Sequence, residues 1–485
     1  MNTKDARASL PLLLEPEFVV DEEGRVADGP VRVEGGRIAA IGPAARRAGA
    51  AVVPLTGRAL SPAFVNAHSH AFQLGLRGHV EKKDAAHAHD DFWTWRTHMY
   101  ALANALTPSE MRAVARAAFL DMVRAGFTHV GEFHYVHHAH DDERARPATR
   151  DDHAMCDAVV EAAADAGIHL TLLETGYARA APGKPALAGQ RRFVFDRVDA
   201  FLAHVDDVAR AHPHVTTGFA IHSVRACPLD WIAAISARAA ELRAPLHVHA
   251  SEQTGELEIA MAEHGRSPIA ILDDAGALTA KSTVVHATHA SDDDVARLAA
   301  RGAVVCLCPT TERNLGDGLV PARALVDAGV PLAIGSDSQT RIDPLLELAA
   351  IEEDERLRVR ARSVLVEPGQ TLAMRLWPIG TANGARALSS DGGRMAVGAP
   401  ADLVALSIPS SFAPSGDSSG DALHDDDRAH ALDALLVSGT REAVRDVFVG
   451  GDHVVRDGRF FTIDEAAVAA DARRALAAAR KRAAR

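Results

Sequence analysis

Two histidines one residue apart, His68 and His70, follow an apolar run in the stretch VNAHSHAFQLGLRG. One such pair is weak evidence for a metal site, since the chain has 25 histidines and repeats the His-x-His spacing at positions 87/89, 138/140, 212/214 and 247/249. Only the pairs 68/70 and 247/249 each close an apolar run that is typical of a strand. Because residues i and i+2 of a strand point to the same face, these pairs could direct imidazoles toward one metal ion.

The other three pairs have more ordinary interpretations. The pairs 87/89 and 138/140 lie among Asp and Glu in loop-like sequence, where we expect a solvated polar surface. The pair 212/214 flanks a proline and is predicted to lie in a turn before a strand.

Other residues that could bind or assist a metal also follow predicted strands. Glu252 lies three residues past His249, His286 ends the run STVVH, and Asp337 follows the run PLAIGS. Neutral imidazoles and a carboxylate suit zinc, and a catalytic zinc site keeps one position open for water. Four separate strand ends with such residues predict a metal-dependent hydrolytic site.

The elements that must position these residues are strands that alternate with helices. Between residues 60 and 396, short apolar runs such as HLTLLET, PLHVHAS and AVVCLCP alternate with helical stretches such as PSEMRAVARAAFLDMVRAG. This alternation predicts a parallel sheet, and eight such units would close a (β/α)8 barrel. Catalytic groups of such barrels gather at the carboxyl ends of the strands.

Both ends of the chain have a different pattern, which predicts a small flanking β-sandwich lobe built from residues 1–59 and 397–485. Short predicted strands with Gly turns occur at LLLEPEFVV, VRVEGGRIAAIG, VGAPADLVALS, ALLVSG and VRDVFVGGDHVVRDGRFF. The Ser/Gly/Asp-rich stretch 407–430 is predicted to be a surface loop. The final DARRALAAARKRAAR is predicted to be a helix, whose basic end suits a helix C-terminus.

Composition restricts the class of protein. The 485 residues are 47% hydrophobic and carry a net charge of -13, which argues against nucleic-acid or anionic-membrane partners but not against a small anionic substrate. The four cysteines are too few for a disulfide framework. The N-terminus lacks the pattern of a signal peptide, and we find no apolar run long enough to span a bilayer. A cytoplasmic enzyme is expected.

The pattern of His-x-His, two further histidines and an aspartate at strand ends resembles the amidohydrolase superfamily, and VGAPADLVAL is similar to its return strand into the β lobe. Within that superfamily the chain most resembles the formimidoylglutamate deiminases of histidine degradation. The similar segments are NAHSHAFQ, FWTWR, EFHYVHH, HSVRA, HVHASEQ, VVHATH, CPTTERNLGDG and GSDS. The resemblance implies one zinc ion per chain, with four ligands: His68, His70, His249 and Asp337.

The resemblance also implies catalytic roles for Glu252, His286 and Asp337. Asp337 would accept a proton from the water that zinc activates, and Glu252 would pass a proton to the departing nitrogen. His286 would orient the water or stabilise the tetrahedral intermediate. A second metal bridged by a carboxylated lysine is not expected, because no lysine occurs between Lys83 and Lys184.

The implied reaction is hydrolysis of N-formimino-L-glutamate to N-formyl-L-glutamate and ammonia. Arg96 and Arg225 could bind its two carboxylates, and the resemblance adds hydrogen bonds from Gln73, Tyr135 and His222. Taken singly, either arginine fits a surface ion pair, the FWTWR aromatics fit core packing, and His222 fits a structural role equally well. A homodimer is expected.

Two rival interpretations remain. An aminohydrolase of a purine such as guanine, or of another amidine-like centre, would use the same metal ligands with more neutral ring contacts. A binding protein on a decayed barrel would lack some of those ligands.

A few features depart from the resemblance or carry little weight. The His/Asp-rich segment 79–91 could alter a loop over the pocket, and Gln339 stands where some relatives have histidine. CPTTERNLGDG could cover the site. The GDSSG at 416–420 lacks the flanking strand and helix of a nucleophile elbow. Cys306 and Cys308 are interpreted as packing residues.

Overall fold

The computed structural model describes residues 10–82, 91–139, 153–412 and 425–484. The pair 87/89, His140 and the GDSSG motif therefore lie outside the described residues. The strands are β1 Leu12–Val20, β2 Val26–Ala27, β3 Val31–Glu34, β4 Arg37–Ile41, β5 Ala51–Pro62, β6 Phe64–Ser69, β7 Phe127–His134, β8 His169–Gly176, β9 Thr216–Ile221, β10 Leu246–Ala250, β11 Ser282–His286, β12 Val304–Leu307, β13 Leu332–Ile334, β14 Leu403–Ser407, β15 Val444–Val449, β16 Asp452–Arg456 and β17 Arg459–Phe460.

The helices lie between and after these strands. They are α1 Phe92–Ala105, α2 Pro108–Arg124, α3 Ala154–Ala166, α4 Val198–Ala211, α5 Leu229–Leu242, α6 Thr254–His264, α7 Pro268–Asp274, α8 Asp292–Arg301, α9 Pro309–Leu315, α10 Ala322–Asp327, α11 Pro344–Val359, α12 Leu372–Gly380, α13 Ala382–Ala387, α14 Asp425–Ser438 and α15 Glu465–Ala483. Short 3-10 helices occupy Gly42–Ala45, Ala71–Leu76, Ala188–Gln190 and Arg441–Ala443. No helix in these ranges is long and apolar enough to cross a membrane.

The predicted barrel is confirmed. Strands β6 to β13 form one eight-stranded parallel sheet in chain order, and each pair of consecutive strands is connected through one or more helices. Strands β10 (LHVHA) and β11 (STVVH) are buried at every residue. This continuous burial fits a parallel sheet that is covered on both faces.

The barrel closes between its first and last strands, and the contacts that close it involve predicted metal ligands. The amide of His70 donates to the Asp337 carbonyl at 3.0 Å, and the amide of Asp337 donates to the His68 carbonyl at 3.0 Å. Beside them, the Asn66 side chain donates to Ser336 Oγ at 2.7 Å and accepts from the Ser336 amide at 3.0 Å. We call this junction, residues 66–70 with 335–339, the barrel seam.

The predicted β lobe is also confirmed as a sheet built from both chain ends. Its nine strands follow the order β17-β16-β15-β14-β5-β1-β3-β4, with β2 paired to β1. Strand β14 runs antiparallel to β5, so the two halves of the lobe meet there. The chain passes from β5 in the lobe to β6 in the barrel through the single residue Ala63. The division at residues 59/60 and 396/397 stays a prediction about folding units.

One predicted strand is wrong. All of the stretch ALLVSG except its final glycine belongs to helix α14, which begins at Asp425 and so also includes the last residues of the predicted 407–430 loop. Its buried residues Ala431, Leu432, Leu435 and Leu436 have helical spacing, and α14 packs on α11 and α12. The predicted C-terminal helix is confirmed as α15, with basic residues in its last turn.

Gly335 tests how tightly the barrel seam is packed. A Cβ at this position would lie 2.7 Å from the His68 carbonyl oxygen and 2.8 Å from His68 Cβ. We expect Gly335→Ala to lower the free energy of unfolding by about 1–3 kcal/mol through overpacking. Denaturant unfolding would measure this, with Gly392→Ala as the control because its Cβ would have no neighbour closer than 3.8 Å. Equal stability of the two variants would contradict a tight seam.

Candidate metal and substrate site

The four predicted metal ligands converge at the carboxyl ends of three barrel strands. His68 lies in β6 and His70 directly follows it, His249 lies in β10, and Asp337 follows β13. All four side chains are buried. The structure thus brings together residues that are up to 269 positions apart in the chain.

One nitrogen from each of His68, His70 and His249 lies within 4.8 Å of the other two, and Asp337 lies beside two of these three histidines. His249 Nε2 lies 3.1 Å from His68 Nε2, and Asp337 Oδ1 lies 3.5 Å from both His68 Nε2 and His70 Nε2. Ligands held about 2.0–2.2 Å from a zinc ion in tetrahedral geometry are separated by roughly 3.3–3.6 Å. The observed distances are therefore close to those of a coordination shell, and the donor set of three imidazoles and one carboxylate suits zinc.

Backbone carbonyls orient two of the three imidazoles. His70 Nδ1 lies 2.9 Å from the Phe133 carbonyl, and His249 Nδ1 lies 3.0 Å from the His222 carbonyl. A carbonyl only accepts, so each Nδ1 carries the hydrogen and each Nε2 presents a lone pair to the centre of the cluster. His68 Nδ1 is buried without a hydrogen-bond partner among the described residues.

His247, the first histidine of the second strand-end pair, does not join the cluster. Its Nε2 lies 2.9 Å from the Ala387 carbonyl in α13, whereas His249 Nε2 faces His68. Of this pair, only His249, the member named as a predicted ligand, faces the cluster. One layer of barrel side chains separates them, because two residues of a strand advance about 6–7 Å along its axis.

The environment keeps the cluster able to bind a cation. Burial lowers the pKa of His68 to about 3 and also lowers the pKa of His70 and His249, with neighbouring imidazoles adding to the effect on His68 and His249. Burial opposes ionisation of Asp337, but the contact with His68 and the nearby His286 hold its pKa below the usual range. Neutral imidazoles and an ionised carboxylate are the forms that bind metal.

Glu252 and His286 face the cluster without belonging to it. His286 Nε2 lies 3.7 Å from Glu252 Oε1 and 3.8 Å from Asp337 Oδ2. Burial raises the pKa of Glu252 to about 7, with His286 opposing the shift and Asp337 adding to it. A carboxyl group with a pKa near neutrality can both accept and donate a proton.

Glu312 orients His286, and the sequence analysis did not name it as a site residue. Glu312 Oε1 lies 3.2 Å from His286 Nδ1 and accepts from the Cys308 amide at 3.0 Å. Burial lowers the pKa of His286, but Glu252, Glu312 and Asp337 together raise it well above its ordinary value. Glu312 lies in CPTTERNLGDG, which was expected to cover the site, but nothing in that stretch indicates a contact with His286.

Unusual backbone conformations mark the strand ends of the site. Among the described non-glycine residues, ten have positive φ, and five of these lie here: Ser251, His286, Ala287, Asp337 and Gln339. Such conformations persist only where the surrounding structure enforces them, and they are frequent at functional sites. They turn the chain sharply at the strand ends that carry His286 and Asp337.

The two predicted arginines face the same pocket as the metal-ligand cluster. Arg225 is buried and donates from Nη1 to the Ala180 carbonyl at 2.5 Å. The guanidinium of Arg96 lies 4.4 Å from the ring centroid of Trp93, and its Nη1 is buried without a hydrogen-bond partner. Neither arginine forms a salt bridge with a carboxylate of the described chain. The surface ion-pair interpretation is therefore wrong for both.

The other predicted substrate contacts, Gln73, Tyr135 and His222, also line this pocket. Gln73 donates from Nε2 to the Tyr135 hydroxyl at 2.9 Å, and its Oε1 is buried with no partner in the described ranges. The His222 carbonyl orients His249, so His222 has a structural contact as well as a place in the pocket. The FWTWR aromatics pack on each other, with Phe92 stacked on Trp95 at 5.9 Å.

Further residues complete the surroundings of the site. Tyr100 and Tyr177 lie beside the arginines, and Gln190 donates to both hydroxyls at 2.9 and 2.7 Å. Gln339 donates to Ser69 Oγ at 3.0 Å and accepts from Ser336 Oγ at 2.9 Å, so it braces the barrel seam. Cys306 and Cys308 are buried in an apolar cluster, and all four cysteines are free.

Comparison with known proteins agrees with this fold. Residues 59–454 match the model of the amidohydrolase family, and the chain belongs to that family. Its similarity to known relatives identifies it as an amidohydrolase-type deaminase. The chain is 39% identical over 409 residues to the formimidoylglutamate deiminase of Pseudomonas aeruginosa, which covers 83% of this chain and 86% of that protein.

More distant relatives have other substrates in their names. The 5-methylthioadenosine/S-adenosylhomocysteine deaminase of Natronomonas pharaonis is 28% identical over 95% of each chain. Among solved structures, an amidohydrolase from Brucella melitensis superposes with a TM-score of 0.84 at 32% identity, covering 96% of this chain and 99% of that one. An adenosine deaminase from Xanthomonas campestris with bound zinc superposes at 0.77 and 24% identity, over 97% and 98%, which supports the fold alone.

Neighbouring histidines of β10 offer a matched test of the candidate metal site. We expect His249→Gln to lose one equivalent of bound divalent metal per chain, because its Nε2 faces His68. His247→Gln, two residues earlier on the same strand, should keep that metal, because His247 bonds to the Ala387 carbonyl instead. Elemental analysis of the purified variants measures both. Equal metal contents would remove His249 from the site.

Proposed function

We propose that this protein is a zinc-dependent hydrolase that converts N-formimino-L-glutamate and water to N-formyl-L-glutamate and ammonia, a step of histidine degradation. In this reaction the C=NH bond of the formimidoyl group is replaced by C=O, and its nitrogen leaves as ammonia. The similarity to the Pseudomonas aeruginosa deiminase supports this substrate. The 28% identical purine-nucleoside deaminases make a purine the main competing substrate.

The observation that carries the proposal is the pair of arginines in the pocket. Arg225 and Arg96 have no carboxylate partner in the described part of the chain, and Arg96 Nη1 has no hydrogen-bond partner among the same residues. A guanidinium withdrawn from water without a counter-ion is costly. A substrate with two carboxylates supplies the missing partners, and each carboxylate can accept two parallel hydrogen bonds from one guanidinium. A neutral purine supplies none.

Zinc would be held by His68, His70, His249 and Asp337, whose donor atoms already have suitable identities and separations. When bound, zinc supplies a Lewis acid that lowers the pKa of water toward neutrality. The residues do the rest. Asp337 is both a ligand and a carboxylate facing the pocket, so it can accept the proton that leaves the attacking water.

Glu252 would move the second proton. It faces the pocket beside His286 and carries a pKa of about 7, so it can protonate the formimidoyl nitrogen and thereby convert it to a leaving group. His286, held by Glu312, would donate a hydrogen bond from Nε2 to the oxygen that gains negative charge at the tetrahedral carbon. Gln73 and Tyr135 would position the chain of the substrate.

A substrate panel separates the two candidate functions. Ammonia release is measured for N-formimino-L-glutamate, guanine, adenosine and S-adenosylhomocysteine on protein with known zinc content. We expect turnover of the formimino compound at least a hundredfold more efficient than that of any purine, since unpartnered buried polar groups reject ligands that cannot pair them. Activity confined to a purine would refute the proposed substrate while leaving the family assignment intact.

Glu252→Gln tests the proton-transfer role. We expect kcat to fall by about 10²–10⁴-fold while bound zinc is retained, because the amide cannot transfer a proton and is no metal ligand. Glu258→Gln is the control, since Glu258 is an exposed glutamate on helix α6, which begins two residues after Glu252. A Glu252→Gln variant with near-normal kcat would assign proton transfer to another group.

Arg225→Ala tests carboxylate binding. We expect kcat/KM for N-formimino-L-glutamate to fall by roughly 30- to 5,000-fold, which corresponds to the loss of about 2–5 kcal/mol from one partner of a buried charge pair. Arg238→Ala on helix α5, where Arg238 pairs with Asp206 away from the pocket, should change kcat/KM little. An unchanged kcat/KM in Arg225→Ala would exclude this arginine from substrate binding.

A further inference from the structure

A second group of metal-binding side chains lies outside the pocket. His137 follows β7, Glu174 lies in β8, Cys156 in α3 and His204 in α4. All four side chains are buried, and one donor atom from each lies within 4.8 Å of the others. Both helices pack on β8. We call this group the outer cluster, because it lies where the outer helices meet the barrel wall and shares no residue with the candidate active site.

The distances within the outer cluster fit a coordination shell. His137 Nδ1 lies 3.1 Å and His204 Nε2 lies 3.3 Å from Glu174 Oε2, and Cys156 Sγ lies 3.8 Å from His204 Nε2. Tetrahedral zinc with N and O ligands at about 2.0–2.2 Å and S at about 2.3 Å separates its ligands by roughly 3.3–3.8 Å. Contraction or expansion by a few tenths of an ångström would seat one ion among these atoms.

The hydrogen bond of His137 fixes which of its nitrogens faces the cluster as an acceptor. His137 Nε2 lies 2.9 Å from the Thr175 carbonyl, so Nε2 carries a hydrogen. In the neutral ring, Nδ1 then presents a lone pair to Glu174 Oε2 at 3.1 Å. A protonated Nδ1 would point its hydrogen at this oxygen, yet Nδ1 is among the buried atoms without a hydrogen-bond partner. Two acceptors that face each other are stabilised by a cation between them, which a divalent metal ion can supply, or by a proton on His137 in the absence of that ion.

Both carboxylate oxygens of Glu174 also lack a hydrogen-bond partner among the described residues. The side chain is 0% exposed. A buried carboxylate without donors is strongly destabilising unless it is paired or coordinates a metal. The thiol of Cys156 and the imidazole of His204 provide soft and borderline donors, and His204 Nε2 lies 3.3 Å from the same Glu174 oxygen that faces His137.

We propose that the outer cluster binds a second divalent transition-metal ion, with His137, Cys156, Glu174 and His204 as its four protein ligands. Two imidazoles, one thiolate and one carboxylate are a donor set for zinc, and four protein ligands leave no open position, as in structural zinc sites. The ion would join β8, α3 and α4 to the segment after β7. That segment also carries Tyr135, two residues before His137, so the ion would fix a wall of the pocket.

Cobalt substitution tests this site without relying on activity. The purified chain is stripped of metal with a chelator and titrated with Co²⁺ alone, and its bound metal and absorption spectrum are measured. We expect two equivalents per chain and a thiolate-to-cobalt charge-transfer band in the near ultraviolet. Cys156→Ser should lose the band, whereas Cys227→Ser should keep it, because Cys227 is equally buried but donates to the Gly176 carbonyl.

The two candidate metal sites are distinguished by their ligands. His68→Asn with His70→Asn should remove the equivalent bound in the pocket and leave the charge-transfer band, while Cys156→Ser should spare the metal in the pocket. Wild-type protein that binds one equivalent of cobalt and shows no thiolate band would overturn the proposal, whether or not any variant folds. A band that Cys308→Ser removes instead would also overturn it. Neither result bears on the proposed substrate.

Discussion

Two backbone hydrogen bonds at the barrel seam serve both the fold and the site. The amides of His70 and Asp337 donate to the carbonyls of Asp337 and His68, and these bonds join the last barrel strand to the first. Because the bonded residues are themselves the candidate ligands, the barrel cannot close without bringing two imidazoles and a carboxylate together. Asn66 and Gln339 reinforce the same junction through side-chain hydrogen bonds. Closure of the sheet and assembly of the candidate metal site are thus one folding event.

Hydrogen bonds from imidazole Nδ1 atoms decide what this assembly can bind. At His70 and His249 a carbonyl fixes the tautomer, so the lone pairs converge on a buried point where they repel each other unless a cation is present. At His286 the partner is the Glu312 carboxylate, which favours the protonated ring and makes it a donor. The group that accepts from Nδ1 therefore decides whether an imidazole can serve as a metal ligand or as a hydrogen-bond donor. In the outer cluster the Thr175 carbonyl likewise fixes the tautomer of His137.

The features of the fold and of the site that depend on local sequence pattern could be predicted. Short apolar runs that end in His or Asp located the strands and the ends that carry His68, His249 and Asp337, and parallel strands in a barrel bring such ends together. Partners chosen by tertiary packing were not predictable. Nothing local to Glu312 indicates that it lies behind His286, and nothing local to His247 directs it to Ala387. The stretch ALLVSG has the composition of a strand, but helical spacing of its buried residues becomes evident only with the preceding turns of α14.

Overall charge and local charge act in opposite directions in this molecule. A net charge of -13 repels anions at long range, yet Arg96 and Arg225 face the pocket without a carboxylate partner in the described residues. Salt screens long-range repulsion over a Debye length of about 8–10 Å. A desolvated guanidinium is screened much less, and it remains costly unless an anion pairs with it. Affinity for the proposed dicarboxylate would therefore depend on the few residues that line the pocket. A purine-binding site on the same barrel and with the same metal ligands would need neither arginine unpaired, so the proposed choice of an anionic substrate follows from the charge that this pocket leaves uncompensated.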